Sequence, residues 1–215
     1  MYKVKEIFRS IQGEGFNTGK ESVFIRFSGC NFWNGRVEDR LEAKCNFCDT
    51  DFIGVDGQNG GKFKSPEALV KHVLQFWPRS KEPAYIIFTG GEPALQLDQP
   101  LISCFKQHST ELAIETNGTL ALPSGLDWIC VSPKGNSKVV ITHCNELKLV
   151  YPQQKAKPEH FEHIQAEHYF LSSKNAPNMK NILTANNHLQ QCINYCLEHP
   201  KWKLCMQTHK LLNID

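Results

Sequence analysis

The 215-residue sequence predicts an α/β fold organised around a parallel sheet. Short runs rich in β-branched and aromatic residues recur along the chain. Helix-type segments with identifiable ends separate several of them, and glycine, serine, threonine and asparagine gather where the runs finish. Strands alternating with helices imply βαβ units.

The runs are YKVKEIF from Tyr2, SVFIRF from Ser22, AYIIFT from Ala84, ELAIET from Glu111, DWICVS from Asp127, NELKLVY from Asn145, HYFLSS from His168 and WKLCMQT from Trp202. The clearest helix is Ser65 to Trp77, where Ser65 is a natural N-cap, Pro66 suits the first helical position and Pro78 follows the end. Further helices are expected from about Gln99 to His108 and about Thr184 to Glu198. Residues 54–64 (GVDGQNGGKFK) are glycine-rich but lack the G-x-x-x-x-G-K-[ST] phosphate pattern, so they read as a flexible connection. The run endings are FSGC, FTGGEP, ETNG, VSPK, LSSKN and MQTHK. In parallel α/β folds the carboxyl ends of strands carry the ligand sites. Any one ending alone reads as a turn; together they outline a site.

Basic and acidic residues number 24 and 22, giving a formal charge of +2, and they are interspersed. That pattern offers neither nucleic acid nor a membrane surface an electrostatic footprint and favours a small-molecule or protein partner. No run approaches the roughly 20 apolar residues of a bilayer span, and MYKVKEIFRS lacks a signal-peptide core. A single cytoplasmic domain over residues 1–215 is expected.

Nine cysteines, an odd number, argue against a complete disulfide framework. Cys192 and Cys196 fall on an apolar helical stripe with Leu189, Ile193 and Leu197, while Cys104, Cys130, Cys144 and Cys205 sit singly among apolar neighbours. Core packing accounts for these six. Cys30, Cys45 and Cys48 form C-x14-C-x2-C in a mostly polar stretch. A structural zinc site needs four ligands and no second tight pair follows. A redox C-x-x-C leaves Cys30 unexplained. A [4Fe–4S] cluster held by three thiolates would leave one iron open to a ligand. The spacing alone leaves all three readings standing.

Other segments bear on the choice. FTGGEP resembles the GGE motif of the radical S-adenosylmethionine enzymes, in which two glycines let backbone approach the cofactor. IQGEG, FIRFSGC, CDTDF, TGGEP, ETNG, SPK and QTHK occur in the order seen in the 7-carboxy-7-deazaguanine synthase family, whose expanded-cysteine members the chain resembles from Ile11 onward. The resemblance implies a partial, TIM-like barrel of parallel strands with outer helices. It implies conversion of 6-carboxy-5,6,7,8-tetrahydropterin to 7-carboxy-7-deazaguanine with release of ammonia. Hydrogen abstraction by a 5′-deoxyadenosyl radical drives that reaction, which serves queuosine and deazapurine biosynthesis. The implied cofactors are a [4Fe–4S] cluster, S-adenosyl-L-methionine and Mg2+. A flavodoxin or ferredoxin as electron donor and a homodimer are implied as well.

Residue by residue, Cys30, Cys45 and Cys48 match the cluster ligands and Thr50 the magnesium ligand. Phe47, Cys48, Asp49, Gly91, Ser132, Pro133 and Lys134 match cofactor contacts, as do Ser172, Ser173, Lys174 and Asn175, although HYFLSSKN departs from the QPMD-like segment of related members. Ile11, Gln12, Gly13, Arg26 and Thr89 match substrate contacts, with Glu14, Gln207 and His209 close by; Asp215 matches a terminal carboxylate that holds substrate. No catalytic side chain is expected beyond the cofactor-derived radical. Within the cluster-loop insertion, residues 31–44, RVEDRLEAK has helix-forming composition and predicts a short helix, with Phe32 and Trp33 excluding water. A glycyl-radical activating enzyme is the enzyme alternative, which IQGEG and QTHK disfavour. A structural zinc or electron-transfer module is the non-enzymatic one.

Overall fold

The computed structural model describes residues 1–77, 83–174 and 182–214, with side chains of the helix Ile182–Glu198 described from Asn187 onward. The strands are β1 (Tyr2–Ile11), β2 (Glu21–Phe27), β3 (Gly61–Phe63), β4 (Ala84–Gly90), β5 (Thr110–Thr116), β6 (Trp128–Val131), β7 (His143–Tyr151), β8 (Gln165–Ser173) and β9 (Trp202–Cys205). Among the described residues they form one nine-stranded sheet, in the order β3-β1-β2-β4-β5-β6-β7-β8-β9. From β2 to β9 every neighbouring pair is parallel. The amino-terminal β1 instead pairs antiparallel with β2 and with β3, so the expected parallel sheet carries an antiparallel edge.

The α-helices are α1 (Pro66–Val73), α2 (Gln99–Lys106), α3 (Ile182–Glu198) and the short α4 (Thr208–Leu212). Ser65 Oγ accepts from Ala68 N at 3.3 Å and Pro66 opens α1 as read from the sequence, whereas Pro78 lies outside the described residues. Asp98 caps α2 by accepting from Leu101 N at 3.0 Å and also takes the Tyr2 hydroxyl at 2.7 Å, joining helix to first strand.

Both faces of the strands are buried, to different ends. One face places Ile25, Ile86, Phe88 and Ile114 against Leu69, Val70, Leu101 and Phe105 of α1 and α2. It continues as Leu147, Leu149 and Leu171 packed with Cys192 of α3. The other face carries Phe8, Phe24, Tyr85, Ile87 and Ala113 at its floor. With α1, α2 and α3 packed on one face, the sheet curls as an open partial barrel around the second face. The edge strands β3 and β9 do not pair. Instead the segment after β1 crosses to β9: Gly15 N donates to Cys205 Sγ at 3.1 Å and Thr208 N to Gly13 O at 2.9 Å.

Three local expectations are corrected. Residues 54–64 are pinned rather than flexible: β3 pairs with β1, Gly57 N donates to Lys5 O at 2.9 Å, and Ile7 N to Gln58 O at 2.7 Å. A Cβ on Gly60 would lie 2.1 Å from Lys5 O, so glycine here permits close backbone approach. Residues 36–44 form no helix but successive turns, with Arg40 N donating to Val37 O at 3.2 Å and Ala43 N to Arg40 O at 3.3 Å. Val37 and Leu41 are 77% and 88% exposed, so the segment has no buried apolar stripe, and a helix this short needs one. On α3 the buried side is Cys192 with Tyr195 and Cys196, while Leu197 faces solvent. Cys104, Cys130 and Cys205 are buried as read, and Cys144 is half-buried against the second core cluster.

Candidate active site

The carboxyl ends of the parallel strands open onto a cavity of about 450 Å³, within the range of small-molecule sites. Several strands send in residues at or near their carboxyl ends. β2 contributes Arg26, β4 Thr89 and Gly90, β5 Glu115 and Thr116, β7 Lys148 and Val150, and β8 Ser172 and Ser173. Ser132, Lys134, Gln207 and His209 follow just past strand ends, and Ile11, Gln12, Gly13 and Glu14 follow β1 or end it. Phe8 and Phe24, stacked with centroids 5.0 Å apart, line one wall.

Cys30, Cys45 and Cys48 are free thiols on the same cavity. Cys45 and Cys48 share a thiol–thiolate hydrogen bond, which pulls Cys48 down to about 6 and pushes Cys45 up, with burial opposing the first shift and adding to the second. Burial raises Cys30. Beside them runs the double-glycine turn. A Cβ on Gly91 would fall 2.2 Å from Gly29 O and 2.8 Å from Cys30 Cβ, so the turn lies against the first cysteine in a place only glycine fits. Glu92, 1% exposed, fastens it: Thr116 Oγ1, Asn117 N and Ala94 N donate to its carboxylate at 2.7, 2.8 and 2.9 Å, and its own N donates to Gly29 O at 2.9 Å.

Among the described residues, no three His, Cys, Asp or Glu side chains converge closely enough for a single metal ion. A tetrahedral zinc site requires that convergence. In a cluster each thiolate ligates a different iron, so its ligands stand further apart around a larger group. Three unbridged thiols on one cavity and a side-chain-free glycine turn against Cys30 fit a cluster with a small cofactor beside it.

Opposite the cysteines lies a charged network. Lys148 Nζ sits 2.7 Å from Glu14 Oε2 and 3.5 Å from Glu115 Oε1, with Lys148 and Glu14 side chains only 7% and 16% exposed. Gln12 Nε2 donates to Glu115 at 3.0 Å, Glu14 N donates to Gln12 Oε1 at 3.1 Å and Gln207 Nε2 donates to Glu14 Oε1 at 2.5 Å. Burial opposes ionisation of Glu14, but the Lys148 ammonium, Gln207 and His209 outweigh it and hold the carboxyl down to about 2. Lys148 is held charged by the same carboxylates against the effect of its burial. Lys134 contrasts with it: burial pushes its pKa down, and its ammonium donates to Ser132 O at 2.9 Å and to Ser132 Oγ. Arg26 Nε is 2.6 Å from Glu6 Oε1 at the cavity wall.

Of the residues marked from the sequence, the cavity gathers Ile11, Gln12, Gly13, Arg26, Cys30, Cys45, Phe47, Cys48, Asp49, Thr50, Thr89, Gly91, Ser132, Lys134, Ser172 and Ser173. Pro133 is buried and does not line it. Lys174 stands outside the lining, its ammonium 5.1 Å from the Phe47 ring. Asn175 and Asp215 lie outside the described residues. The sequence reading missed Glu6, Phe8, Phe24, Lys148 and Val150, and it quoted Glu115 only within ELAIET and ETNG. Their signal was the period of two along β1, β2 and β7, legible only once Arg26 is known to face inward.

No protein-family model matches the chain. Curated relatives do. Over 213 residues it is 49% identical to the 7-carboxy-7-deazaguanine synthase of Bordetella pertussis and to that of Bradyrhizobium diazoefficiens, in each case covering 99% of both chains. It is 40% identical over 215 residues to the synthase of Bacteroides thetaiotaomicron, across 100% of this chain and 99% of the relative. The fold also matches the crystal structure of QueE from Escherichia coli, with a TM-score of 0.64 and 23% identity over 96% of this chain and 93% of that one. Full-length identity at this level, together with a shared fold, shows that the chain belongs to the 7-carboxy-7-deazaguanine synthase family.

Proposed function

We propose that this chain converts 6-carboxy-5,6,7,8-tetrahydropterin to 7-carboxy-7-deazaguanine with release of ammonia, a step in queuosine and deazapurine biosynthesis. One observation carries the reading beyond the relatives' names. Three free thiols, a glycine-only turn and a set of fixed charges and amides share one cavity at the carboxyl ends of parallel strands.

Cys30, Cys45 and Cys48 would hold the [4Fe–4S] cluster. Gly91, Phe47, Asp49, Ser132 and Lys134 would receive S-adenosylmethionine beside it, with Pro133 shaping the turn and Ser172, Ser173, Lys174 and Asn175 closing that end. When bound, cluster and cofactor supply the hydrogen-abstracting radical, the hard chemistry that side chains do not provide.

The chain's own contribution is orientation and exclusion of water. Gln12 has both ends of its amide engaged, so its orientation is fixed by Glu115 and the Glu14 amide. Buried Lys148 keeps Glu14 a carboxylate and also lies 3.5 Å from Glu115 Oε1, and the oxygens of both side chains offer acceptors to the N–H edge of a pterin. Arg26, at the mouth of β2, is the guanidinium suited to the substrate carboxylate, with Glu6 holding it in place through Nε. Thr89 and the Ile11–Gly13 backbone add further polar contacts. The Thr50 hydroxyl lines the same cavity and suits one position on Mg2+, a hard cation that takes oxygen ligands. Asp215 is assigned to substrate by resemblance. A flavodoxin or ferredoxin would supply the electron, and the chain would act as a homodimer.

The test is anaerobic reconstitution with iron and sulfide, then incubation with the carboxytetrahydropterin, S-adenosylmethionine, a reductant and Mg2+. Appearance of 7-carboxy-7-deazaguanine is expected. Cluster-loaded protein that cleaves the cofactor but forms no deazaguanine would sink the reading, and a colourless protein that retains zinc would favour the structural alternative.

A further inference from the structure

The cluster-loop insertion forms no helix; local bonds such as Asp39 N to Arg36 O and Asn34 Nδ2 to Asp39 Oδ2 shape its turns. The Arg40 side chain ties it to the cysteine turn. Arg40 Nη1 donates to Cys48 O at 2.7 Å and to Asn46 O at 3.3 Å, so a residue of the insertion grips the backbone of the C-x-x-C turn from outside. Its guanidinium lies over the Trp33 ring, with Cζ 4.2 Å from the centroid. Trp33 is 7% exposed, donates through Nε1 to Arg36 O at 3.0 Å and meets Phe52 edge-on at 5.7 Å. The guanidinium therefore has a flat, immobile platform beneath it and two carbonyls in front.

These contacts have an electrostatic consequence. A guanidinium does not lose its proton in a protein, so Arg40 is a permanent charge. It bonds the carbonyl of Cys48 itself. Other basic groups lie near this turn but are not bonded to its carbonyls: exposed Lys44 leans on Phe32, Lys210 pairs with Asp49, Lys174 lies over the Phe47 ring, and buried Lys134 shares the cavity with Cys45 and donates to Ser132. Reduction adds an electron to a cluster that is already anionic with its thiolates, and a fixed nearby cation favours the more negative state.

From this geometry we infer that Arg40 is a positioning residue for the cluster: it holds the Cys45-to-Cys48 loop in its ligating shape and raises the reduction potential of the cluster bound there. The inference rests on the proposal that Cys30, Cys45 and Cys48 hold a [4Fe–4S] cluster. It also explains the insertion, whose length delivers this arginine to the turn.

The test compares reconstituted wild type, Arg40→Gln, Arg40→Lys and Arg36→Gln. Arg36 is exposed on the same insertion, and its removal subtracts the same charge away from the turn. Potentials are read by EPR-monitored redox titration, and cluster retention as the rate of iron loss to a chelator. In Arg40→Gln the potential should move to more negative values and iron should leave several-fold faster. Arg40→Lys keeps the charge but not the forked, stacked grip, so near-wild-type potential with faster iron loss is expected. Arg36→Gln should match wild type in both. Equal potentials in Arg40→Gln and Arg36→Gln overturn the electrostatic role, and wild-type iron loss in Arg40→Lys overturns the positioning role. Failure of the wild type to take up any cluster would instead refute the proposed function.

Discussion

Replacing Lys148 by methionine isolates the electrostatics of the site. The ammonium lies 2.7 Å from Glu14 and 3.5 Å from Glu115. At an effective dielectric of roughly 20 those separations correspond to about 6 and about 5 kcal/mol of gross attraction. Desolvation of each ion takes back several kcal/mol, and removing one partner of a buried pair costs about 3–5 kcal/mol. The depressed Glu14 carboxyl corresponds to a similar figure. Glu14 falls from 4.5 to about 2, which at about 1.36 kcal/mol per pKa unit is roughly 3 kcal/mol of preference for the charged form. Because the folded pKa is depressed, this stability is fully present above the unfolded value near 4.5 and is lost as pH falls toward 2. With Lys148→Met, burial is left unopposed by the ammonium and the native carboxyl rises. The Glu14 contribution should then reverse sign, stability increasing as pH falls through the new native value. The assay is urea denaturation followed by tryptophan fluorescence, on wild type, Lys148→Met, Glu14→Gln and the double variant from pH 7 to pH 4. Lys148→Met should lose about 3 kcal/mol at pH 7, and Glu14→Gln should cost much less in its background than alone. A coupling energy below about 1 kcal/mol, or an unchanged acid limb in Lys148→Met, would refute the reasoning.

Three further outcomes follow from particular contacts. Arg26→Ala should abolish deazaguanine formation while uncoupled cleavage of S-adenosylmethionine continues; equal loss of both would reject its contact with substrate. Gly91→Ala drives a methyl group to 2.2 Å from Gly29 O and against Cys30, so the iron content of reconstituted protein should fall sharply, and full iron loading would contradict the packing. Thr50→Val should raise the Mg2+ concentration needed for half-maximal turnover without altering iron content, and an unchanged Mg2+ dependence would remove Thr50 from the metal site.

The framework of the fold was legible because its signals are local. Ser65 with Pro66, the β-rich runs and the polar strand endings are each decided within a few residues. What failed needed tertiary knowledge. β3 is three residues of glycine-rich sequence that become a strand only because β1 offers an unpaired edge. RVEDRLEAK has helical composition, yet Val37 and Leu41 find nothing to cover them, and the segment runs as turns closed by local bonds and by the Arg40 contact to Cys48 O. At the site, the motif residues stood out, whereas Glu6, Phe8 and Lys148 did not. Strands buried on both faces show little hydrophobic alternation, so the sequence does not say which face is the concave one.

The crossing of the segment after β1 to the end of β9 has a consequence for how the protein comes into being. Glu14 meets Gln207 at 2.5 Å, and Gly13 O takes both the amide and the hydroxyl of Thr208 at 2.9 and 3.0 Å, so residues near opposite ends of the chain share one seam. A polypeptide emerging from the ribosome has its first strands early but lacks the partners that Gly13, Glu14 and Gly15 find in Thr208, Gln207 and Cys205 until those residues are made. The Glu14 side of the cavity is therefore completed only once β9 and the residues just after it are made. Clipping the chain before Gln207 would leave most of the sheet intact and still remove the latch that gives Glu14 its place.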